Sequence, residues 1–164
     1  TSVTTSMKKI WIWKRRMMNN KLEKKLTTAY PGIFEELARP SSGGSWNIGC
    51  GDGWFDLLDT LCLNIQNYFG YTMDDELELV VTDIRAERGG MRFFVEGGDD
   101  YIMGLIHMAE TMSARMCEEC GERGEIDMEG CTTLCEVCTE LQEEAPESLI
   151  SRVKEIRKFN RARR

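Results

Sequence analysis

Residues 117–138 read CEECGERGEIDMEGCTTLCEVC and hold five of the seven cysteines in this 164-residue chain. Four of the five form two pairs, Cys117-x2-Cys120 and Cys135-x2-Cys138, with fourteen residues between the pairs. Two residues between thiolates let both sulfurs of a turn face a common centre, and two such turns complete the tetrahedral set that zinc prefers. The spacing therefore predicts one Zn²⁺ ion bound by Cys117, Cys120, Cys135 and Cys138.

The residues around the two pairs predict a treble-clef-like finger. Gly121 supplies the left-handed backbone that a turn of this kind often needs, and GEIDMEGCTTL, residues 124–134, has the length of a short hairpin. The second pair lies where a helix would begin, in the favourable field of the helix N-terminus. Four cysteine ligands leave no coordination position for water, so we expect a structural rather than a hydrolytic ion.

Two alternatives compete with this ligand set. Cys131 lies four residues before Cys135 and could replace it, although the two-residue spacing would then be broken. Either pair could instead be a redox dithiol, but neither follows a strand in a βαβ context.

The N-terminal residues bear on the cellular compartment. The sequence MKKIWIWKRRMM has the charge of a signal peptide, but its apolar stretch, residues 10–13, is far too short for an h-region. No apolar run approaches the roughly 20 residues that cross a bilayer. We therefore expect a soluble cytoplasmic protein whose thiols stay reduced.

The rest of the chain predicts an α+β fold: helices plus a small antiparallel hairpin, with the finger appended. Apolar residues at helical spacing predict two short helices over residues 20–38, a long helix after Trp54 with Asp52 as its cap, and a helix from Asp99 or Asp100 to the finger. Between the last two helices, ELELVVTDIRA and MRFFVEG flank Gly89-Gly90 and predict a hairpin.

These patterns divide the chain into four parts. Residues 1–17 share no pattern with the remainder and are expected to be a non-core N-terminal extension. Residues 18–116 form the α+β domain, residues 117–145 form the four-cysteine zinc finger, and residues 146–164 form a basic C-terminal helix or tail.

The charges are strongly segregated along the chain. The net charge is −7, but residues 1–26 carry eight Lys/Arg and one Glu, residues 27–150 carry six Arg and 26 Asp/Glu, and residues 151–164 carry seven Lys/Arg and one Glu. The three segments are therefore +7, −20 and +6. A polyanionic middle repels nucleic acid and attracts basic protein surfaces, although charge of this size also suits solubility alone.

The residue content argues against familiar catalytic sites. His107 is the only histidine, and its place beside Ile106 and Met108 favours a core or boundary position. Asp52, Asp56 and Asp59 could bind Mg²⁺ as in a nuclease, but helix capping and the helix dipole explain them more simply. Phosphate loops and dinucleotide fingerprints are absent from the sequence, and we expect a protein that is not an enzyme.

In combination, CGDGWFDLLDTLCLNIQ, RAERGGMRFFVEGG, MAETMSARMCEECG and TLCEVC resemble a group of small phage and prophage proteins. That group combines a CGDGW helix, a GG-L/M-R-F strand and a C-terminal CxxC…CxxC finger, and the resemblance covers residues 21–138. It implies the ligands Cys117, Cys120, Cys135 and Cys138 and no catalytic residues. Cys131 falls where such proteins tend to have a bulky residue, which implies that it lies outside the metal shell.

A phage origin implies an accessory protein acting in the cytoplasm of a bacterial host. By analogy, we expect it to bind and modulate a basic surface of a host or phage protein that handles nucleic acid, as an anti-defence, anti-CRISPR-like inhibitor does. The alternative is a zinc-finger accessory or regulatory protein that binds nucleic acid through its basic termini. No membrane partner is expected.

Overall fold

The computed structural model describes residues 17–38, 48–72, 76–129 and 131–144. Within these ranges the helices are α1 (Asn20–Ala29), α2 (Pro31–Ala38), α3 (Phe55–Tyr71), α4 (Asp100–Ser113) and α5 (Glu136–Glu144), with a 3₁₀ turn at Asp52–Trp54. The strands are β1 (Leu79–Glu87), β2 (Gly90–Gly97), β3 (Glu125–Asp127) and β4 (Thr132–Leu134). The predicted α+β fold class is confirmed. None of these helices is long and apolar enough to cross a membrane.

Three segments named in the sequence analysis lie wholly or almost wholly outside the residues that the structure describes. Apart from Met17, the expected N-terminal extension lies outside the described residues, as do the loop at residues 39–45 and the basic tail at residues 146–164. The division of the chain into domains stays a prediction.

Helices α1 and α2 open the fold at the predicted place. Asn19 caps α1, since its side chain accepts a hydrogen bond from the Lys21 amide at 2.9 Å. Pro31 begins α2, where its missing N–H costs nothing. Leu26 and Phe34, two of the apolar residues at helical spacing in this segment, are fully buried.

Helix α3 is the centre of the core, but its predicted cap is wrong. The helix buries Leu57, Leu58, Leu61, Cys62 and Ile65 along one face. It has no side-chain cap, because Asp52 begins the preceding 3₁₀ turn and its Oδ1 accepts a hydrogen bond from the Asn19 amide at 2.7 Å instead. Asp52 therefore ties the start of α1 to the turn before α3.

Strands β1 and β2 form the predicted antiparallel hairpin. The turn is made by Arg88 and Gly89, both with positive φ, the pattern of a type I′ turn that matches the twist of the strands. On the other edge of β1, the Gly49 amide donates to the Ile84 carbonyl and the Gly49 carbonyl accepts from the Ala86 amide, each at 2.8 Å. This short parallel bridge aims the following residues, 50–54, at the finger.

Helix α4 begins at its predicted cap, where the Asp99 carboxylate accepts from the Ile102 amide at 3.0 Å. It buries Ile102, Ile106 and Ala109. His107 is exposed, so the core or boundary position expected for it is wrong. The reason is geometric, because residue 107 is rotated by about 100° from the buried face through Ile106.

The burial of α3 predicts which of its leucines stabilise the fold. Leu58 is 0% exposed, so we expect Leu58→Ala to lower the free energy of unfolding by about 2–5 kcal/mol through lost burial and a residual cavity. Leu63, on the same helix but 44% exposed, is the matched control, and Leu63→Ala should change it by less than about 0.5 kcal/mol. Urea unfolding followed by circular dichroism in excess zinc measures both. Equal losses in the two variants would contradict the assigned core.

Candidate metal centre

The four cysteines of the two CxxC pairs come together at one point. One sulfur from each of Cys117, Cys120, Cys135 and Cys138 lies within 4.8 Å of the others, and the Cys120 and Cys135 sulfurs are 3.5 Å apart. Tetrahedral zinc with Zn–S bonds of about 2.3 Å places its sulfurs about 3.8 Å from one another. All seven cysteines are free thiols. The cluster is therefore an arrangement able to hold one zinc ion.

The first pair sits on a tight turn, the knuckle, defined here as residues 117–122. The Gly121 amide donates to the Cys117 carbonyl at 2.8 Å, and the Cys117 amide donates to the Glu122 carbonyl at 2.7 Å. Gly121 has a φ of +79°, the left-handed conformation predicted from the sequence. These bonds turn Cys117 and Cys120 toward the same centre.

The second pair sits at the start of α5, also as predicted. Cys135 directly precedes the helix, and its carbonyl accepts from the Thr139 amide at 2.9 Å. The Cys138 amide points at the Cys135 sulfur at 3.4 Å. A helix N-terminus and an amide N–H both favour a negatively charged sulfur, so this position suits a metal-bound thiolate. Strands β3 and β4 form the hairpin between the two pairs.

Before a metal binds, the thiols share protons unequally. Hydrogen bonds from the Cys120 and Cys138 thiols hold the pKa of Cys117 far below its usual range. The same hydrogen bond to Cys117 raises the pKa of Cys120 to about 12, and the pKa of Cys138 is raised for the same reason. Cys117 is therefore the thiolate of this trio, and Cys120 and Cys138 keep their protons until a cation replaces them.

Cys131 lies outside the cluster. It is exposed in the turn between β3 and β4 with a φ of +50°, and its thiol donates weakly to the Met128 carbonyl at 3.6 Å. Its sulfur is not among the converging ligand atoms. The alternative in which Cys131 replaces Cys135 is therefore not supported by the geometry.

The knuckle packs against the glycine-rich turn that precedes α3. The Gly53 amide donates to the Glu118 carbonyl at 2.8 Å, and the Gly51 amide donates to Oε1 of Glu118 at 3.0 Å. A Cβ at Gly53 would lie 2.6 Å from both the Glu118 carbonyl oxygen and the Gly121 amide nitrogen. Only glycine at this position allows the two backbones to approach so closely.

The side chains of Trp54 and Glu118 also take part in this contact. Trp54 is fully buried, and its indole Nε1 donates to the Met116 carbonyl at 2.9 Å, one residue before the first ligand. Glu118, between the two ligands of the first pair, is 1% exposed. A buried carboxylate is costly unless it is hydrogen-bonded, and the Gly51 amide is one of its partners. The motif CGDGW, residues 50–54, is therefore the surface that receives the knuckle.

Sequence reasoning missed this contact, although part of the signal was present. Gly51 and Gly53 are two glycines separated by one residue, a pattern that also marks a close backbone approach, and the predictions from sequence did not use it. Nothing in the sequence indicated that Glu118 is buried. In CEEC it is indistinguishable from Glu119, and only the packing shows that Glu118 turns inward.

The three aspartates considered for Mg²⁺ do not form a site. Asp52 accepts from the Asn19 amide, and Asp59 accepts from the Tyr30 hydroxyl at 2.8 Å, while Asp56 is exposed on α3. Three or more Cys, His, Asp or Glu side chains whose ligand atoms converge could hold a metal ion. In the described part of the chain, the group that meets this condition is the four cysteines of the two CxxC pairs. Cys62 lies in the apolar core, where burial raises its pKa to about 12.

The cluster predicts the metal content of the protein. Metal-replete protein should contain one zinc per chain, and Cys138→Ser should lose most of it because a hydroxyl is a far weaker zinc ligand than a thiolate. Cys131→Ser, which removes a thiol of the same finger outside the cluster, is the matched control and should keep one zinc. Elemental analysis of gel-filtered protein gives the ratio. A wild-type ratio near zero, or equal loss in both variants, would contradict the site.

Zinc binding should also release protons. Because the pKa values of Cys120 and Cys138 are raised before a metal binds, these thiols are protonated at neutral pH and lose their protons only when zinc takes their place. Zinc affinity should therefore rise with pH and fall on acidification. Calorimetric titration in buffers of different ionisation enthalpy measures the protons released. A binding enthalpy that is the same in every buffer would show that the thiols were already ionised.

The chain matches no protein-family model, no curated protein sequence and no solved structure. The resemblance to small phage and prophage proteins therefore stays a prediction.

Proposed function

We propose that this protein is a non-catalytic binding protein whose structural zinc holds an acidic surface in the shape needed to dock on a basic protein. The observation that carries the proposal is the charge of the finger, residues 117–144. Among the finger side chains that the structure describes, the exposed charged ones are Glu122, Arg123, Glu125, Asp127, Glu129, Glu136 and Glu140, six acids and one base. We call this set the acidic finger surface.

Apolar side chains are interspersed with these carboxylates. Met128 is 76% exposed at the turn of the finger hairpin, and Ile126 and Val137 are also exposed. Exposed apolar residues within a charged surface are typical of protein-binding sites, where the apolar contacts add affinity and the charges steer the encounter. The acidic finger surface thus suits a partner that is basic and partly apolar.

The composition of the metal site supports a structural role for the ion. All four converging ligands are cysteines, and a four-thiolate shell leaves no position for a water molecule to be activated. The zinc then acts as a cross-link between the knuckle, the finger hairpin and α5. Binding, rather than hydrolysis, is the chemistry that such a centre serves.

A basic partner that handles nucleic acid is the natural target for a polyanion. Proteins of this class carry Lys/Arg surfaces that contact phosphates, and a folded acidic protein competes for the same surface. Together with the resemblance to phage and prophage proteins, this favours a host or phage nucleic-acid-handling protein as the partner. Occupying its basic surface inhibits it, as an anti-defence, anti-CRISPR-like protein would.

One observation favours a second candidate, a zinc-finger accessory or regulatory protein that binds nucleic acid. Residues 1–26 and 151–164 carry net charges of +7 and +6, which suit phosphate contacts. The acidic finger surface opposes such binding, because its carboxylates repel phosphates. This function would therefore depend on the termini alone.

Charge reversal on the finger tests the proposal. Zinc-loaded wild-type protein should capture a defined protein from bacterial lysate. The double variant Glu125→Lys/Glu129→Lys should not capture this protein, because both side chains are exposed on the finger and their reversed charge repels a basic partner. Glu78→Lys/Glu96→Lys makes the same change in net charge at positions beside the β1–β2 hairpin and within it, and is the matched control. Mass spectrometry of the captured proteins identifies those that bind wild type and control but not the finger variant.

Titration of the purified partner then separates the two candidates. Its affinity for the zinc-loaded chain should fall as salt rises from about 0.15 M to about 0.5 M, since screening shortens the reach of charge interactions. Equal affinity of the finger variant would contradict docking through the acidic finger surface. Gel-shift binding of DNA or RNA that survives finger charge reversal, with no partner captured, would favour the nucleic-acid-binding candidate.

A further inference from the structure

We infer that the turn at residues 51–54 supports the metal site by packing directly against the backbone of the first ligand pair. Through this contact, binding of a metal by the four cysteines stabilises the core around α3. The inference concerns how the metal is held and is independent of the partner proposed above. It rests on the contacts between this turn and the knuckle.

The first observation is that the finger has a very small apolar core of its own. In its described part, the buried apolar residues are Cys117, Leu134 and Cys138, and two of these are ligands. Strands β3 and β4 have three residues each, and every residue of β3 is exposed. Such a module is too small to fold by burial of apolar surface, so it depends on the metal and on its neighbours.

The second observation is that the knuckle and the residue before it accept hydrogen bonds from the turn at residues 51–54. The Glu118 carbonyl accepts from the Gly53 amide at 2.8 Å, and the Glu118 carboxylate accepts from the Gly51 amide at 3.0 Å. The Met116 carbonyl accepts from the Trp54 indole at 2.9 Å. These three donors lie within four residues of one another and immediately before α3. A change in the path of the knuckle would leave them unpaired in a buried environment, which is costly.

The third observation is the absence of space between the two backbones. A Cβ at Gly51 would collide with the Glu118 carbonyl, and a Cβ at Gly53 would collide with the Cys117 carbonyl. In the other direction, a Cβ at Gly121 would lie 2.8 Å from the Gly53 carbonyl oxygen. The turn is therefore in direct contact with the backbone of the ligand-bearing residues themselves.

A second contact joins the finger hairpin to the core. The hydroxyl of Thr133, a fully buried residue of β4, donates to the Gly89 carbonyl at the tip of the β1–β2 hairpin. The Thr133 carbonyl in turn accepts from the Glu118 amide at 2.9 Å. The knuckle is thus clamped between the turn at residues 51–54 and the hairpin tip, and both of these belong to the α+β core.

Coupling follows from these contacts by linkage. A ligand that binds only the folded arrangement of a site stabilises every element whose structure that arrangement requires. Zinc holds Cys117 and Cys120 in the knuckle, and the knuckle is the partner of the turn that begins α3. The metal should therefore stabilise α3 and the β1–β2 hairpin as well as the finger.

Hydrogen exchange of the wild-type chain tests the coupling directly. The amides of α3 and of the β1–β2 hairpin should exchange faster after zinc is removed with a chelator, and adding zinc back should restore their protection. Faster exchange confined to residues 117–144, with unchanged protection of residues 48–113, would overturn the inference. This measurement needs no variant and does not depend on activity or on a partner.

Variants of the turn test whether the coupling runs through it. Gly53→Ala should weaken zinc binding by about 10- to 100-fold, the range typical of residues that contact the metal ligands without binding the metal themselves. Gly104→Ala is the matched control, because a Cβ at this exposed position of α4 meets nothing within 4 Å, and its zinc affinity should equal that of wild type. Competition with a chromophoric chelator at constant pH gives the affinities.

Glu118 provides a second, milder test. Glu118→Gln keeps an oxygen that can accept from the Gly51 amide, whereas Glu118→Ala removes it. We expect the alanine variant to bind zinc more weakly than the glutamine variant. Wild-type zinc affinity in both Gly53→Ala and Glu118→Ala would overturn the role of the turn, even if the wild-type core loses protection without zinc. If Gly53→Ala does not fold, the Glu118 pair and the wild-type exchange experiment still decide.

Discussion

The structure depends on the close approach of two backbones, the turn at residues 51–54 and the zinc knuckle at residues 117–122. Glycines at positions 51, 53 and 121 remove the side chains that would keep them apart. Hydrogen bonds from Gly51, Gly53 and Trp54 then satisfy polar groups on both sides of the contact. The described part of the finger has only three buried apolar residues of its own, too few to hold it together without this contact and the metal.

The charge of the finger is the second constraint. A finger whose described side chains expose six acids and one base repels itself, and four thiolates around Zn²⁺ add a further net charge of −2. Covalent-like metal–sulfur bonds tolerate this repulsion, whereas a small apolar core would not. A four-cysteine centre therefore allows an acidic surface to be displayed on very few residues, which is why we connect the metal with binding rather than with catalysis.

The acidic residues outside the finger are used differently. Glu23 accepts from the Ile48 amide at 3.2 Å, Asp59 accepts from the Tyr30 hydroxyl, and Asp99 accepts from the Tyr68 hydroxyl at 2.6 Å. Each of these bonds joins elements that are distant in sequence. These three carboxylates therefore act as connectors between elements, whereas those of the acidic finger surface project to solvent. The net charges of the segments do not reveal this division of roles.

The sequence by itself determined the elements and the ligands. The CxxC spacing predicted which four cysteines converge, and apolar spacing predicted α3, α4 and the β1–β2 hairpin, because local periodicity and ligand spacing are properties of short segments. Only the tertiary structure decided that Asp52 bonds to Asn19 and that Glu118 rather than Glu119 is buried. These outcomes depend on contacts between residues far apart in the chain. No local pattern encodes them, since they are set by which backbones the glycines allow to meet.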